Sequence, residues 1–311
     1  MKKISIMIPC YNEEDNIKAI VLAIKQMLKK DLATYDYEII IIDNKSVDNT
    51  RNIIRGLCQE DKKIKAIFNL KNFGQFNSPF YGLMQCTGDC VIPVAADFQD
   101  PIELIPQMIH KWEDGHKVVC MIKTSSKEGK VIYSARKLYY WLISKLSSID
   151  QIKQFTGFGL YDQSYIELMR NLNEPTPFIR GIIAEYAPDC CKIEFEQPKR
   201  KAGKSSNNFF SLFDAAMISF TSYTNCLRIA TFVGFSSAML SFVIGIVYLV
   251  LKFVRWNSFS AGMAPLLIAM FFIGGVMLFC MGMLGEYIIA MNKRVMNRPL
   301  VFEEERMNFD E

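Results

Sequence analysis

The chain has 311 residues, half of them apolar, with a formal net charge of +4, nine cysteines and two histidines. That length accommodates one large domain or two smaller ones, and the modest charge does not call for nucleic acid as a partner. With no CxxC pair, the cysteines read as reduced thiols of a cytosolic domain rather than a disulfide framework, and two histidines make a zinc site a poor reading.

The first residues, MKKISIMIPCYNEE, are basic but lack the long apolar core of a signal peptide. Ile4–Ile8 predicts a buried strand, Pro9–Asn12 a turn, and residues 16–29 a helix with Ile17, Ile20, Val21, Ile24 and Leu28 on one face. Tyr37–Ile42 predicts a second buried strand ending in Asp43, and Asp48-Asn-Thr caps a helix running to Glu60. A strand at Ile64–Phe68, a helix at Asn77–Cys86, a strand at Cys90–Val94, a helix at Pro101–Gly115 and a strand at Lys117–Lys123 follow. Strands alternating with helices imply an α/β domain with a mostly parallel sheet covered on both faces.

Ligands of such sheets bind beyond the carboxyl ends of the strands. Three polar clusters sit there in the sequence: Pro9–Glu13, Asp43–Asp48 and Asp97–Asp100. The last lies within VAADFQDP, residues 94–101. Taken alone, that stretch reads first as an ordinary acidic turn, since Asp and Pro are common turn residues, and second as a metal and phosphate site. Three clusters converging on one sheet edge favour a shared pocket.

Beyond Thr124 the pattern turns helical over Ile132–Leu146, then passes a Gly-rich turn, Thr156–Leu160, into a helix at Gln163–Leu172. Phe209–Leu227 is apolar with scattered Ser and Thr and predicts a helix lying along a membrane surface. Ile229–Leu251 is an apolar run of ~34 Å as a helix, enough to cross a bilayer core of ~30 Å. Met263–Ile289 is a second such run, with only Glu286 charged. Together they read as a transmembrane hairpin. Lys and Arg flank its outer ends, at Lys199–Lys204 and Arg228 before it and at Lys293, Arg294 and Arg298 after it. Both flanks are therefore expected in the cytosol, and the bilayer itself is a partner.

The segments IPCYNEEDNI, IIDNKSVDNT, NFGQ (72–75), ADFQDPIELIP (96–106), TGFGLYD (156–162) and LGEYI (284–288), in this order and spacing, resemble the family 2 glycosyltransferases. More narrowly, they are similar to the bacterial polyisoprenyl-phosphate glycosyltransferases, relatives of dolichol-phosphate-mannose synthase. The resemblance implies a cytosolic GT-A domain, Rossmann-like, over 1–205, an interfacial helix over 206–228, a hairpin of two transmembrane helices over 229–291, and a cytosolic tail over 292–311. It places the protein in a bacterial inner membrane, multi-pass, with the catalytic domain and both termini cytoplasmic. The implied reaction moves a sugar, with inversion, from a UDP-sugar to undecaprenyl or another polyprenyl phosphate, for cell-surface glycan synthesis. By position, Pro9, Tyr11, Glu13, Asp43 and Asp97 should bind the nucleotide-sugar. Asp97 and Gln99 should hold Mg²⁺ or Mn²⁺. Relatives form tetramers, so a homo-oligomer is also implied.

Three positions depart from the family pattern. Ala95 stands in place of the first acid of the metal motif, Asn44 in place of a second acid after the second strand, and Phe158 in place of a carboxylate. The chemistry tolerates Phe158: a lipid phosphate is already an anion and attacks without a general base, whereas a hydroxyl acceptor needs one. The site then has to bring two anions together, which calls for cations and a metal. Asp97, Lys123 and Arg136 are the expected catalytic groups, with Arg136, Arg200 and Lys204 taking the lipid phosphate. The alternatives are a membrane-tethered nucleotide-sugar-binding protein without catalysis, and transfer to a non-lipid acceptor.

Overall fold

A computed structural model describes residues 1–124, 151–198 and 263–309, with helical pieces at 217–218 and between 231 and 254. The sheet grows from β1 (Lys3–Cys10) and β2 (Asp36–Asp43), two isoleucine-rich runs whose Ile4, Ile6, Ile8 and Ile39 to Ile42 have no exposed surface. Burial on both faces is what a parallel strand demands. β1 pairs in parallel with β2 (Ile6 opposite Ile39) and, on its other side, with β4 (Cys90–Pro93; Ile6 opposite Ile92). β2 pairs in parallel with β3 (Ile64–Asn69).

Helices cover both faces. α1 (Ile17–Asp31), α2 (Thr50–Glu60) and α4 (Ile105–Glu113) bury Ile20, Ile24, Ile54, Leu57, Met108 and Ile109 against one side. α3 (Gly74–Met84), α5 (Gln163–Leu172) and α6 (Ile179–Tyr186) bury Phe80, Leu83, Ile166, Met169 and Ile182 against the other. This matches the expected α/β domain with a mostly parallel central sheet.

The far side differs from expectation. Thr156–Leu160, expected as a Gly-rich turn, lies within strand β6 (Phe155–Asp162), which pairs antiparallel with β4 and with β5 (Val118–Lys123). The glycine allows this close approach: a Cβ on Gly159 would lie 2.3 Å from the Val119 carbonyl oxygen. β7 (Cys191–Phe195) adds a parallel edge beside β5.

The helix α7 (Met263–Met296) is the one helix among the described residues long and apolar enough to cross a membrane. The other expected span and the interfacial helix fall largely outside the described residues; the described pieces between 231 and 254 are helical and expose Phe232, Phe235, Val247 and Phe253. The chain then returns to the domain. Residues 303–307, expected within a tail, form strand β8 (Glu303–Met307), antiparallel to β3. Among the described residues the strand order is β7-β5-β6-β4-β1-β2-β3-β8.

Where the parallel strands begin, Glu38 is 1% exposed and fully engaged. It accepts from Ser5 Oγ at 2.6 Å, Lys3 Nζ at 2.9 Å and the Thr87 amide at 2.8 Å, and Lys65 Nζ lies 2.9 Å away.

Candidate active site

At the opposite edge, where β1, β2 and β4 end, each strand runs into a loop holding one non-glycine residue in the left-handed region. These are Asn12 (φ 55°), Lys45 (φ 66°) and Phe98 (φ 61°). Such conformations cost free energy, most of all for a bulky residue such as Phe98, and they collect where a fold is bent to serve a site. The loops are bonded to one another. The Asn44 amide donates to the Cys10 carbonyl at 3.0 Å, the Asn12 amide to Ser46 Oγ at 2.8 Å, the Glu13 amide to Thr50 Oγ1 at 2.9 Å and the Val94 amide to the Met7 carbonyl at 2.9 Å.

The structure brings Pro9, Tyr11, Glu13, Asp43, Asp97 and Gln99 to this one edge. Asp43 is wholly buried. Both of its oxygens accept from the Ser46 amide at 3.2 Å, and Arg51 Nε lies 2.9 Å from Oδ2, a contact of charge rather than an aligned hydrogen bond. Glu13 is buried at the entrance to α1, its Oε2 accepting from Asn16 Nδ2 at 2.8 Å, while Tyr11 is exposed. Asn44 knits two loops: its Nδ2 donates to Asn72 Oδ1 at 3.0 Å and the Gly74 carbonyl at 3.2 Å, and its Oδ1 accepts from the Phe73 amide at 2.9 Å. A neutral amide, donor and acceptor at once, fits there; a carboxylate could not donate.

After β4, Asp97 is nearly buried and its Oδ1 accepts from the Gln99 amide at 3.1 Å, a short loop turned by Phe98. Among the described residues no three His, Cys, Asp or Glu side chains gather as metal ligands. One carboxylate and one amide oxygen fit a hard cation that takes its remaining oxygens from phosphate and water, and do not make a protein cage. Ala95, lacking a carboxylate, donates its amide to Asp100 Oδ2 at 2.9 Å. Burial pushes the Asp100 carboxyl up to about 7, with the nearby Asp97 charge adding to the rise and the Ala95 amide opposing it.

Two hollows adjoin this edge. A cavity of about 340 Å³ is lined by Pro9, Gln75, Ala95, Gln99, Asp100, Phe158, Arg180 and Gln197. A larger cleft, about 990 Å³, has Tyr11, Asn44 and Lys71 to Asn77 on one wall and Glu286, Ile289, Lys293 and Met296 of α7 on the other. Lys123 ends β5 on the same sheet edge, two strands from β4. Arg136, Arg200 and Lys204 lie outside the described residues. The sequence pattern gives Asp100, Arg180 and Gln197 no individual role. Asp100 lies within VAADFQDP, but Arg180 and Gln197 come to the cavity from segments with no local motif.

Residues 5–178 match glycosyl transferase family 2. The chain is 31% identical over 299 residues to the SfII prophage-derived bactoprenol glucosyl transferase of Shigella flexneri, covering 96% of each chain. It is 30% identical over 288 residues to the prophage bactoprenol glucosyl transferase homolog of Escherichia coli (strain K12), covering 92% of this chain and 93% of that one. Among solved structures, mannosyl-3-phosphoglycerate synthase from Rubrobacter xylanophilus overlaps with a TM-score of 0.49 at 15% identity, over 70% of this chain and 71% of that one. With a family match over more than half its length and relatives that align from end to end, the chain belongs to glycosyl transferase family 2.

Proposed function

We propose that the protein is a membrane-anchored, inverting hexosyltransferase. It moves a sugar from a UDP-sugar to polyprenyl phosphate on the cytosolic face of a bacterial inner membrane, for cell-surface glycan synthesis. One observation carries the reading. The cleft beside the strand-end loops has the apolar helix α7 as its second wall, so a donor on the loops and an acceptor in the lipid would share one space. The names of the bactoprenol glucosyl transferases support the same acceptor and a hexose as the sugar.

The topology supports the hairpin. α7 is 34 residues long, about 50 Å at ~1.5 Å per residue. Its C-terminal end is tied to the domain: Arg294 pairs with Glu174 at 3.1 Å, Asn173 bonds Asn297 at 3.4 Å, and β8 joins the sheet. If α7 spans the bilayer, the chain between residue 198 and Met263 must cross it once more. Both termini then lie on the side of the catalytic domain.

In this reading Asp43 accepts from the base, Pro9 and Tyr11 flank the nucleoside, and Glu13 holds the loop from behind. Asp97 and Gln99 would hold Mg²⁺ or Mn²⁺, which when bound draws charge from the donor diphosphate. Phe158, packed edge-on against Phe195 with centroids 5.8 Å apart, supplies no base. None is needed, because the attacking phosphate oxygen is already ionised. Lys71, Lys293 and Arg298 line the cleft and can draw that anion in, alongside Lys123, Arg136, Arg200 and Lys204.

The test uses purified protein in detergent with Mg²⁺ or Mn²⁺, undecaprenyl phosphate and labelled UDP-sugars. Label should enter the organic phase from one sugar, require the lipid and vanish with EDTA. UDP binding without turnover would favour a non-catalytic protein, for which Ala95 is the supporting observation. Label that appears without polyprenyl phosphate would favour another acceptor.

A further inference from the structure

Strand β8 carries three consecutive glutamates, and only one of them reaches the strand-end loops. Glu304 accepts from Lys45 Nζ at 2.7 Å and from Arg51 Nη2 at 2.9 Å. Lys45 is the left-handed residue of the loop after β2, and Arg51 is the cation set against Asp43. The ladder Glu304–Arg51–Asp43 therefore runs from the C-terminal strand to the buried carboxylate of the candidate pocket. Glu305 makes an ion pair of similar kind with Arg55 at 2.7 Å, one helical turn further along α2, and does not touch the loop.

We propose that Glu304 is a positioning residue for the donor pocket: by gripping Lys45 and Arg51 together it fixes the loop from Asp43 to Arg51. It also leaves Asp43 free to accept from a nucleotide base. The inference rests on the reading of that loop as the nucleotide site. The physical reason is the sharing of Arg51. Without Glu304, the guanidinium keeps Asp43 and the Asn69 carbonyl, 3.3 Å from Nη2, as its partners, and it competes more strongly for the lone pairs that a base would use. Lys45 would lose the anchor that offsets its left-handed backbone. Lys45 and Arg51 hold the Glu304 carboxyl down to about 2, so the grip persists across physiological pH. Since β8 follows α7 after six residues, the pocket is mechanically joined to the membrane helix.

The experiment compares Glu304→Gln with Glu305→Gln in the full-length protein. Three quantities are read: UDP affinity by calorimetry, the donor KM against kcat, and hydrogen exchange of the peptide spanning 43–50. Glu304→Gln should weaken UDP and raise the donor KM by about fivefold, the scale of a small charge network. It should leave kcat and the acceptor KM unchanged and speed exchange in the loop. Glu305→Gln should leave all of these at wild-type values, though both variants melt slightly lower. Equal effects of the two variants, or wild-type affinity and exchange in Glu304→Gln, would overturn the inference. A wild-type chain that binds no UDP would instead overturn the donor reading, and the exchange comparison would still decide whether Glu304 holds the loop.

Discussion

The two edges of the sheet treat buried carboxylates differently. Where the strands begin, Glu38 is surrounded by Ser5, Lys3, Thr87 and Lys65, and the left-handed residue at that edge, Asn308 (φ 61°), has its side chain bonded to the Ile64 carbonyl at 2.7 Å. Where they end, Asp43 and Asp97 sit in loops bent by Asn12, Lys45 and Phe98, beside two hollows. In the proposed reading, the same residue class serves stability at one edge and a ligand at the other. The difference lies in open volume beside the loops, not in burial, since Glu38 and Asp43 are equally enclosed.

The sharpest way to break that contrast is Asp97→Asn. Lipid-linked product should fall about 100-fold or more, as expected for loss of a group that organises transition-state charge, with a melting temperature near wild type. Undiminished turnover would move the chemistry away from the strand-end edge. The converse variant is Glu38→Ala, which leaves Lys3, Lys65 and Ser5 without their acceptor; it should cost about 3 kcal/mol by denaturant titration while leaving UDP affinity intact. Acid reads the same group. Burial works to raise the Glu38 pKa, but the bonds from Ser5, Lys3, Thr87 and Lys65 outweigh it and hold the carboxyl at about 2 against an ordinary 4.5. Its contribution is therefore present above about pH 4.5 and lost as pH falls toward 2. A smaller effect is expected from Asn44→Asp. A carboxylate facing Asn72 Oδ1 and the Gly74 carbonyl loses two donated bonds, at about 1–2 kcal/mol, and UDP should weaken several-fold as the two loops part.

Much of this was legible in the sequence because it is local. Isoleucine runs mark β1 and β2, and the polar residues directly after them become the site loops. What escaped had no local signal. β6 carries two glycines and reads as a turn until Val119 is placed against Gly159. β8 reads as a charged tail because its fit comes from ladder bonds and ion pairs to Lys45, Arg51 and Arg55, not from apolar alternation. Arg180 and Gln197 enter the cavity only through tertiary packing. The cations expected for the lipid phosphate are scattered along the chain, where spacing carries no information about proximity.

The partners that close the sheet at β3 are made long after β3 itself. Arg55 and Glu305 are 250 positions apart. At about 5–20 residues per second, the ribosome takes roughly 12–50 s to supply the second after the first. Through that interval β3 is an open edge, a surface prone to pair with other chains. Both apolar runs leave the ribosome before β8 can cover that edge. A chain stalled before Glu303 would carry every loop of the candidate site and still lack the strand that grips one of them.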